Sequence, residues 1–170
     1  MLIAVNWLGL RTQTLTPCRW QGDMPQDYAL RPQQHEERIM GKPTDVSKAA
    51  YAAYMSRNIP ALMDLLADDV EWAYLAKPEY GTPYGGKFRG KAEVGAFFSK
   101  LSEVSRIVEF EPKEFFEGPS HCAVLGRSKG QSLPDGDVHD TDWIQVAVIN
   151  DAGKISRWFG TEDSAARWKK

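Results

Sequence analysis

The stretch RIVEFEPKEFFEG (106–118) decides the fold, because from here onward the apolar residues alternate with a period of two. That period is typical of a β-strand with one buried face, whereas a helix needs a period near 3.6. Pro112 predicts a bend within the strand. Turns rich in glycine, proline, asparagine or aspartate then separate three further strand-like stretches, which are HCAVLGRSKGQS (121–132), VHDTDWIQVAVI (138–149) and KISRWFGTE (154–162). The second half of the chain is therefore predicted to form an antiparallel meander.

The residues before this meander carry helical periodicity with one strand among them. Thr44 or Asp45 is the expected N-cap of the first helix, and Pro60 is tolerated in the first turn of the second. The predicted elements are a helix over 44–58, a helix over 59–69, a strand over 70–75, a loop with a short ribbon over 76–90 and a helix over 90–104. This order predicts an α+β fold in which three helices pack on one face of a curved antiparallel sheet.

Residues 1–43 differ from the rest of the chain. They contain four of the ten prolines and no sustained periodicity, so we predict a poorly ordered N-terminal extension. MLIAVNWLGL (1–10) lacks the basic start and the cleavage site of a targeting segment and is too short to span a bilayer. The folded domain is predicted to cover residues 44–170.

Composition excludes several functional classes. The chain has 170 residues and a net charge of −2, without the basic stripe that nucleic-acid binding requires. Cys18 and Cys122 form neither a CxxC motif nor a metal-ligand spacing, and the three histidines are not paired, so no metal or cofactor is predicted. Sparse cysteine usage favours a cytoplasmic protein, and no membrane association is expected.

Alternation along 138–149 divides its side chains into two sets. One face carries His139, Thr141, Trp143, Gln145 and Ala147, and the other carries Asp140, Asp142, Ile144, Val146 and Val148. Which set faces the interior decides which side chains can act on a bound molecule.

Several stretches together resemble the SnoaL-like branch of the nuclear-transport-factor-like superfamily. They are YAAYMSRNIPALMDLLADDVEW, GTPYGGKFRGKAEVGAFFSKL, VLGRSKG and INDAGKISRWFGTEDSAARW, and the resemblance covers residues 45–168. It implies an α+β barrel of cone shape, with an apolar pocket inside the cone and a homodimer formed through the opposite sheet face. Family members include polyketide cyclases, a steroid isomerase, an epoxide hydrolase, a dehydratase and non-catalytic proteins, so the pocket must decide the function.

The resemblance also implies which face of 138–149 lines the pocket. Matching INDAGKI to the ketosteroid isomerase pattern places Gln145 at the position of the oxyanion-holding carboxylic acid, Tyr74 at that of the carboxylate base and Ala50 at that of the oxyanion tyrosine. All three positions are changed, which argues against isomerisation by that mechanism. A shift of one residue would bring Tyr51 to the tyrosine position.

The candidate site combines aromatic walls with a few polar groups. The predicted catalytic residues are His139, Asp142, Tyr74 and Gln145; the predicted substrate-binding residues are Trp72, Tyr54, Phe97, Phe98, Trp143 and Trp158. His139 is either a general acid–base or a surface histidine at a strand end. Asp142 requires a β-bulge to face inward. Glu162 and Asp163 are interpreted as the start of a C-terminal helical turn.

Three functions fit these residues. The favoured one is a cofactor-independent acid–base enzyme that cyclises, isomerises, dehydrates or opens an epoxide in a small hydrophobic oxygenated molecule. The alternatives are a non-catalytic module that binds such a ligand and a structural homodimer with a filled cone. A homodimer is expected in each case, because no predicted helix covers the face of Ile144, Val146 and Val148.

Overall fold

The computed structural model describes residues 42–76, 82–133 and 136–163, which form helices and strands in the order that the sequence predicts. The predicted extension over 1–43 lies almost wholly outside the described residues. The elements are α1 (Pro43–Met55), α2 (Ile59–Asp64), β1 (Leu66–Tyr74), β2 (Gly86–Arg89), α3 (Gly90–Val104), β3 (Ser105–Glu117), β4 (His121–Ser132), β5 (Val138–Ile149) and β6 (Ile155–Glu162). The α+β prediction is confirmed.

The six strands form one curved sheet with the order β2-β1-β6-β5-β4-β3. Strands β3 to β6 are the predicted antiparallel meander. The sheet differs from a wholly antiparallel one at a single pair, since β6 lies parallel to β1. It also remains open, with β2 and β3 at its edges, instead of closing into a barrel. Alternation specifies which strands form a meander, but it says nothing about the partner that a distant strand such as β1 takes.

The helix boundaries differ from the predicted ones for local reasons. α1 begins at Pro43, whose missing N–H costs nothing in a first turn, so the N-cap is Lys42 and not Thr44 or Asp45. The Thr44 N–H instead donates to Glu117 Oε2 at 3.0 Å. α1 ends at Met55. Asn58 caps α2, with its side chain accepting from the N–H of Ala61 at 3.1 Å.

The second helix is shorter than predicted. It ends at Asp64, and Leu66 is already the first residue of β1, so Leu66 belongs to a strand and not to the helical core face. Its side chain is fully buried against β6, where it pairs with Ile155. A buried position favours leucine in a helix and in a strand alike, so the sequence pattern could not show to which element Leu66 belongs.

Curvature of the sheet comes from irregular pairing near its edge. The register between β3 and β4 shifts after Ile107 and again between Pro112 and Glu114, where the bend was predicted. The concave face packs on α1 and α3, whose apolar residues Val46, Val94 and Phe97 are buried in the core. The helices and the curved sheet thus enclose the space in which the site lies.

Candidate functional site

Strand β5 presents the two faces that its alternation predicts. His139, Thr141, Trp143 and Ala147 are buried, and Gln145 is half-buried on the same face. Asp140, Asp142 and Ile144 are exposed on the other face. Pairing with β4 runs without interruption from Val138 to Val148, so no bulge reverses the faces. The inward set of the prediction is confirmed.

A cavity of about 90 Å³ lies between the concave face of the sheet and α1 and α3. Its lining is mostly aromatic. It includes all six residues predicted to bind substrate, which are Tyr54, Trp72, Phe97, Phe98, Trp143 and Trp158. Tyr74 and Gln145 also line it. Their roles in binding or catalysis stay predictions, but the fold brings these eight side chains together.

Three tryptophans lie in two flat stacked pairs. Trp72 stacks on Trp158 with ring centroids 3.9 Å apart and an interplanar angle of 14°. Trp143 stacks on Phe110 at 4.8 Å and 10°. Such offset stacks form flat apolar surfaces that suit a ring-bearing molecule.

Inward-facing glycines make room for these rings. A Cβ at Gly126 would lie 2.0 Å from the Trp143 ring, and a Cβ at Gly160 would lie 2.7 Å from the Trp158 ring. Glycine at both positions therefore lets an indole lie against the sheet. The same close approach occurs at Gly130, where a Cβ would lie 2.8 Å from the imidazole of His139.

One end of the cavity carries a carboxylate that the sequence interpretation missed. Glu162 is the last residue of β6, not the start of a helical turn, and it lines the cavity. The hydroxyl of Tyr84 donates to Glu162 Oε1 at 2.8 Å. Thr141 Oγ1 donates to Glu162 Oε2 over a longer distance of 3.5 Å. These contacts orient the carboxylate toward the aromatic chamber.

The polar groups lie on neighbouring strands. Gly160 on β6 pairs with Tyr74 on one side and with Gln145 on the other. Glu162 lies two residues further along β6 and pairs with Trp143. A phenol, an amide and a carboxylate therefore approach one region of the cavity. Alternation along KISRWFGTE could have indicated Glu162, because it shares a face with Trp158 and Gly160.

His139 lies elsewhere. It is 2% exposed, so the interpretation as a surface histidine is wrong. Its ring packs against the backbone of Gly130, and His139 is not among the described residues that line the cavity. The structure therefore places the histidine on the predicted face but separates it from the other candidate residues.

Asp142 lies on the wrong side of the sheet for chemistry in the cavity. It is exposed on the outer face, where it lines a groove of about 550 Å³ with Leu125 and Ile144, and Glu162 lines this groove as well as the cavity. Its neighbour Asp140 forms a bidentate pair with Arg127, at 2.5 Å and 2.9 Å. Hydrogen bonding to Arg127 lowers the pKa of the Asp140 carboxyl. Among the predicted catalytic residues, Asp142 is thus corrected to an outer-surface position.

Ala50 and Tyr51 of α1 both line the cavity. Burial raises the pKa of the Tyr51 phenol far above its usual value, and the nearby thiol of Cys122 adds to the rise. The raised pKa favours the neutral phenol, which suits Tyr51 to donating a hydrogen bond. Its ring lies 5.9 Å from that of Trp143, which makes it part of the aromatic wall.

Within ranges 42–76, 82–133 and 136–163, no three His, Cys, Asp or Glu side chains are grouped as metal ligands would be. In the same ranges, no helix combines the length and apolar character needed to cross a bilayer.

Known proteins share this fold. An NTF2-like protein of Burkholderia xenovorans is 23% identical, with 78% of this chain and 99% of that chain covered and a TM-score of 0.67. An NTF2-like protein of unknown function from Burkholderia pseudomallei is 26% identical, with 74% of this chain and 94% of that chain covered and a TM-score of 0.64. A candidate polyketide cyclase of Pseudomonas putida is 23% identical, with 75% of this chain and 96% of that chain covered and a TM-score of 0.60. No curated protein matches the chain. The profile of the SnoaL-like domain matches residues 48–158. The chain therefore belongs to the SnoaL-like domain family, and it shares the fold of NTF2-like proteins.

Proposed function

We propose that the protein is a cofactor-independent acid–base enzyme that acts on a small hydrophobic oxygenated molecule in the cavity. The observation that carries the proposal is the position of Glu162, whose carboxylate lines an otherwise aromatic chamber and accepts a hydrogen bond from Tyr84. A carboxylate held at the edge of an apolar pocket is suited to moving a proton to or from a bound substrate.

Each polar group has a role in this proposal. Glu162 exchanges the proton, and Tyr84 fixes the orientation of the carboxylate by donating to Oε1. Tyr74 and Gln145, on either side of Gly160, hold the substrate oxygen on which charge develops. The aromatic walls exclude water and hold the substrate's rings.

The class of reaction follows from what these groups can supply. A proton acceptor and neutral hydrogen-bond donors suffice for isomerisation, cyclisation, dehydration or epoxide opening. The similarity to a candidate polyketide cyclase and to a candidate isomerase of Rhodopseudomonas palustris is compatible with this class. Tyr74 and Gln145 replace two carboxyl groups of the ketosteroid isomerase pattern, so the proton acceptor must come from another position, and Glu162 provides it.

The test combines ligand binding with turnover. A panel of steroids, cyclic ketones, terpene epoxides and aromatic polyketides is screened by thermal shift, since a ligand at a hundredfold excess over its Kd stabilises the native state by about 2.7 kcal/mol. Each hit is then assayed for turnover by liquid chromatography and NMR, because isomerisation and cyclisation can leave the mass of the substrate unchanged. Glu162→Gln should lower turnover about 100- to 10,000-fold while the protein remains folded.

Asp163→Asn is the matched control, because it removes the adjacent carboxylate, which is exposed and absent from the cavity lining. Equal turnover in the wild type and Glu162→Gln would reject Glu162 as the proton-transfer group. A loss in both variants would point to net charge instead of position.

A second candidate function is a non-catalytic binding module. It is favoured by Tyr74, a neutral side chain at the position where the ketosteroid isomerase pattern has its base. A module of this kind would bind a compound of the panel without converting it. Glu162→Gln would then change affinity alone.

We also propose a homodimer formed through the outer face of the sheet. Ile144 is 49% exposed there and lies beside the half-buried Leu125 and Val146 on a continuous surface. A second copy would cover this apolar surface. Sedimentation at micromolar concentration should give a dimer, and Ile144→Glu should dissociate it; a wild-type monomer would reject the proposal. A cytoplasmic location belongs to the same set of proposals, and the free thiol of Cys122 is compatible with it.

A further inference from the structure

The groove on the outer face of the sheet combines carboxylates with apolar side chains. Four carboxylates and one amine line it, together with three apolar residues, which are Glu114, Asp142, Glu162, Asp163, Lys113, Leu125, Gly126 and Ile144. Lys113 is already paired with Glu111 at 3.6 Å. Glu114 and Asp142 form no ion pair within residues 42–76, 82–133 and 136–163. The groove therefore has an excess of negative charge.

Trp143 adds a hydrogen-bond donor to the same groove. Its side chain is 4% exposed and lines both the groove and the inner cavity. Its Nε1 has no hydrogen-bond partner in the part of the chain that the structure describes. An indole N–H needs an acceptor, whereas carboxylates need donors or cations. An occupant that suits the groove therefore carries both positive charge and acceptor oxygens, as a peptide with basic side chains does.

The chain itself continues from this groove. Asp163 lines it, and the Asp163 N–H donates to the Asp142 carbonyl at 3.3 Å. Residues 164–170, which follow directly, lie outside the described residues and are called segment 164–170 below. Seven residues can extend over about 23 Å. The groove runs from β6 over β5 and β4 to β3, a distance of three strand spacings or about 14 Å, so the segment is long enough to cross it.

The composition of segment 164–170 complements that of the groove. Its sequence, SAARWKK, contains three cations and no acid. The four carboxylates and one amine of the groove give a net charge of −3, which is equal and opposite to the charge of the segment. Trp168 adds a large aromatic surface that suits the apolar positions Leu125 and Ile144.

We propose that segment 164–170 docks in the outer groove of its own copy, with its basic side chains facing Glu114 and Asp142 and with Trp168 on the apolar positions. Because Glu162 lines both the groove and the cavity, the docked segment shields the outer side of this carboxylate from solvent. The docking does not depend on the reaction proposed above. The row of outer-face residues next to the groove is left for a second copy, and it consists of Phe116, Ala123, Val146 and Phe159.

The test measures how close segment 164–170 lies to the far side of the groove. A nitroxide label is attached to Lys113→Cys on β3, in a chain that also carries Cys18→Ser, while Cys122 stays buried and unlabelled. This label keeps every carboxylate of the groove and every cation of the segment. In NMR spectra, the backbone amides of residues 167–170 and the indole N–H of Trp168 should lose most of their intensity relative to the reduced label.

A label at Val108→Cys is the matched control, because Val108 is exposed on the same strand but does not line the groove. It should broaden the segment's signals much less. A mixture of nitroxide-labelled protein with isotope-enriched protein that has no nitroxide should show no broadening, since docking occurs within one copy.

Charge variants test the proposed contacts. Glu114→Lys with Asp142→Lys should remove most of the broadening, and so should Arg167→Glu with Lys169→Glu. All four substitutions together should restore it, because the two charges are then exchanged. Asp69→Lys makes the same change at an exposed acid of β1 outside the groove and should have no effect.

Three results would overturn the proposal. The first is intact signals of residues 167–170 beside the Lys113→Cys label, or equal broadening from the Val108→Cys label. The second is broadening in the mixed sample, which would assign the groove to the segment of another copy. The third is broadening that survives Glu114→Lys with Asp142→Lys, which would refute charge complementarity as the cause of docking.

Discussion

The two faces of β5 use the same twelve-residue strand for different purposes. The inner face places Trp143 and Gln145 in the cavity and pairs Trp143 with Glu162 of β6. The outer face carries Asp140 and Asp142, both exposed, and Asp140 forms an ion pair with Arg127 of β4. Acidic residues on the strand are thus kept away from the chamber, while the carboxylate that reaches it comes from the end of a neighbouring strand. The two aspartates that lie beside His139 in sequence therefore belong to the outer surface of the sheet and not to the cavity.

The largest expected effect on stability is at a buried tryptophan. Trp158→Ala should lower the free energy of unfolding by about 3–5 kcal/mol, because it removes the ring that stacks on Trp72 and leaves a cavity. Arg157→Ala, one residue earlier and exposed, should cost less than about 1 kcal/mol. Urea denaturation of both variants measures this. Equal losses would contradict the assignment of the two faces of β6.

A smaller effect is expected at the glycine beneath Trp143. Gly126→Ala should destabilise the protein by about 1–3 kcal/mol, because its Cβ would lie 2.0 Å from the indole, which would have to move. Gly95→Ala on α3 is the control. No atom lies within 4 Å of its Cβ position, so alanine should stabilise the helix by about 0.5–1 kcal/mol. Opposite signs of the two changes in melting temperature support the account; a neutral Gly126→Ala would refute the close packing.

The smallest expected effect concerns the ion pair on the outer face. Arg127 lowers the pKa of Asp140, so the pair contributes stability above the pKa of an unfolded aspartate, about 3.9, and loses it as the pH falls further. The group is exposed, so the contribution is small. Melting temperatures of the wild type and Asp140→Asn should differ above about pH 4 and converge at lower pH. A difference in melting temperature that increases below pH 4 would contradict a stabilising ion pair between Arg127 and Asp140.

The fold was largely predictable from periodicity, and the site only in part. Alternation along β5 identified the inward face correctly because one side of that strand is buried and the other is exposed to solvent. The pairing of β1 with β6 was not predictable, since it joins strands separated by most of the domain. The stacks of Trp72 with Trp158 and of Trp143 with Phe110 likewise depend on which strands and loops become neighbours.

Glu162 illustrates the limit of local reasoning. In sequence it precedes Asp163 and Ser164, a combination typical of a helix start, and this local signal obscured the alternation that continues from Trp158. His139 shows the reverse error, because a histidine after a turn is usually exposed. Its burial depends on Gly130 of the neighbouring strand, which leaves room for the imidazole ring.

The most direct test of the central claim is a crystal structure of the protein with the tightest ligand found by thermal shift. The account predicts that the ligand's rings lie against Trp143 and Trp158, with an oxygen about 2.6–3.2 Å from a carboxylate oxygen of Glu162. A ligand bound in the outer groove beside Asp142, with the inner cavity closed, would contradict it.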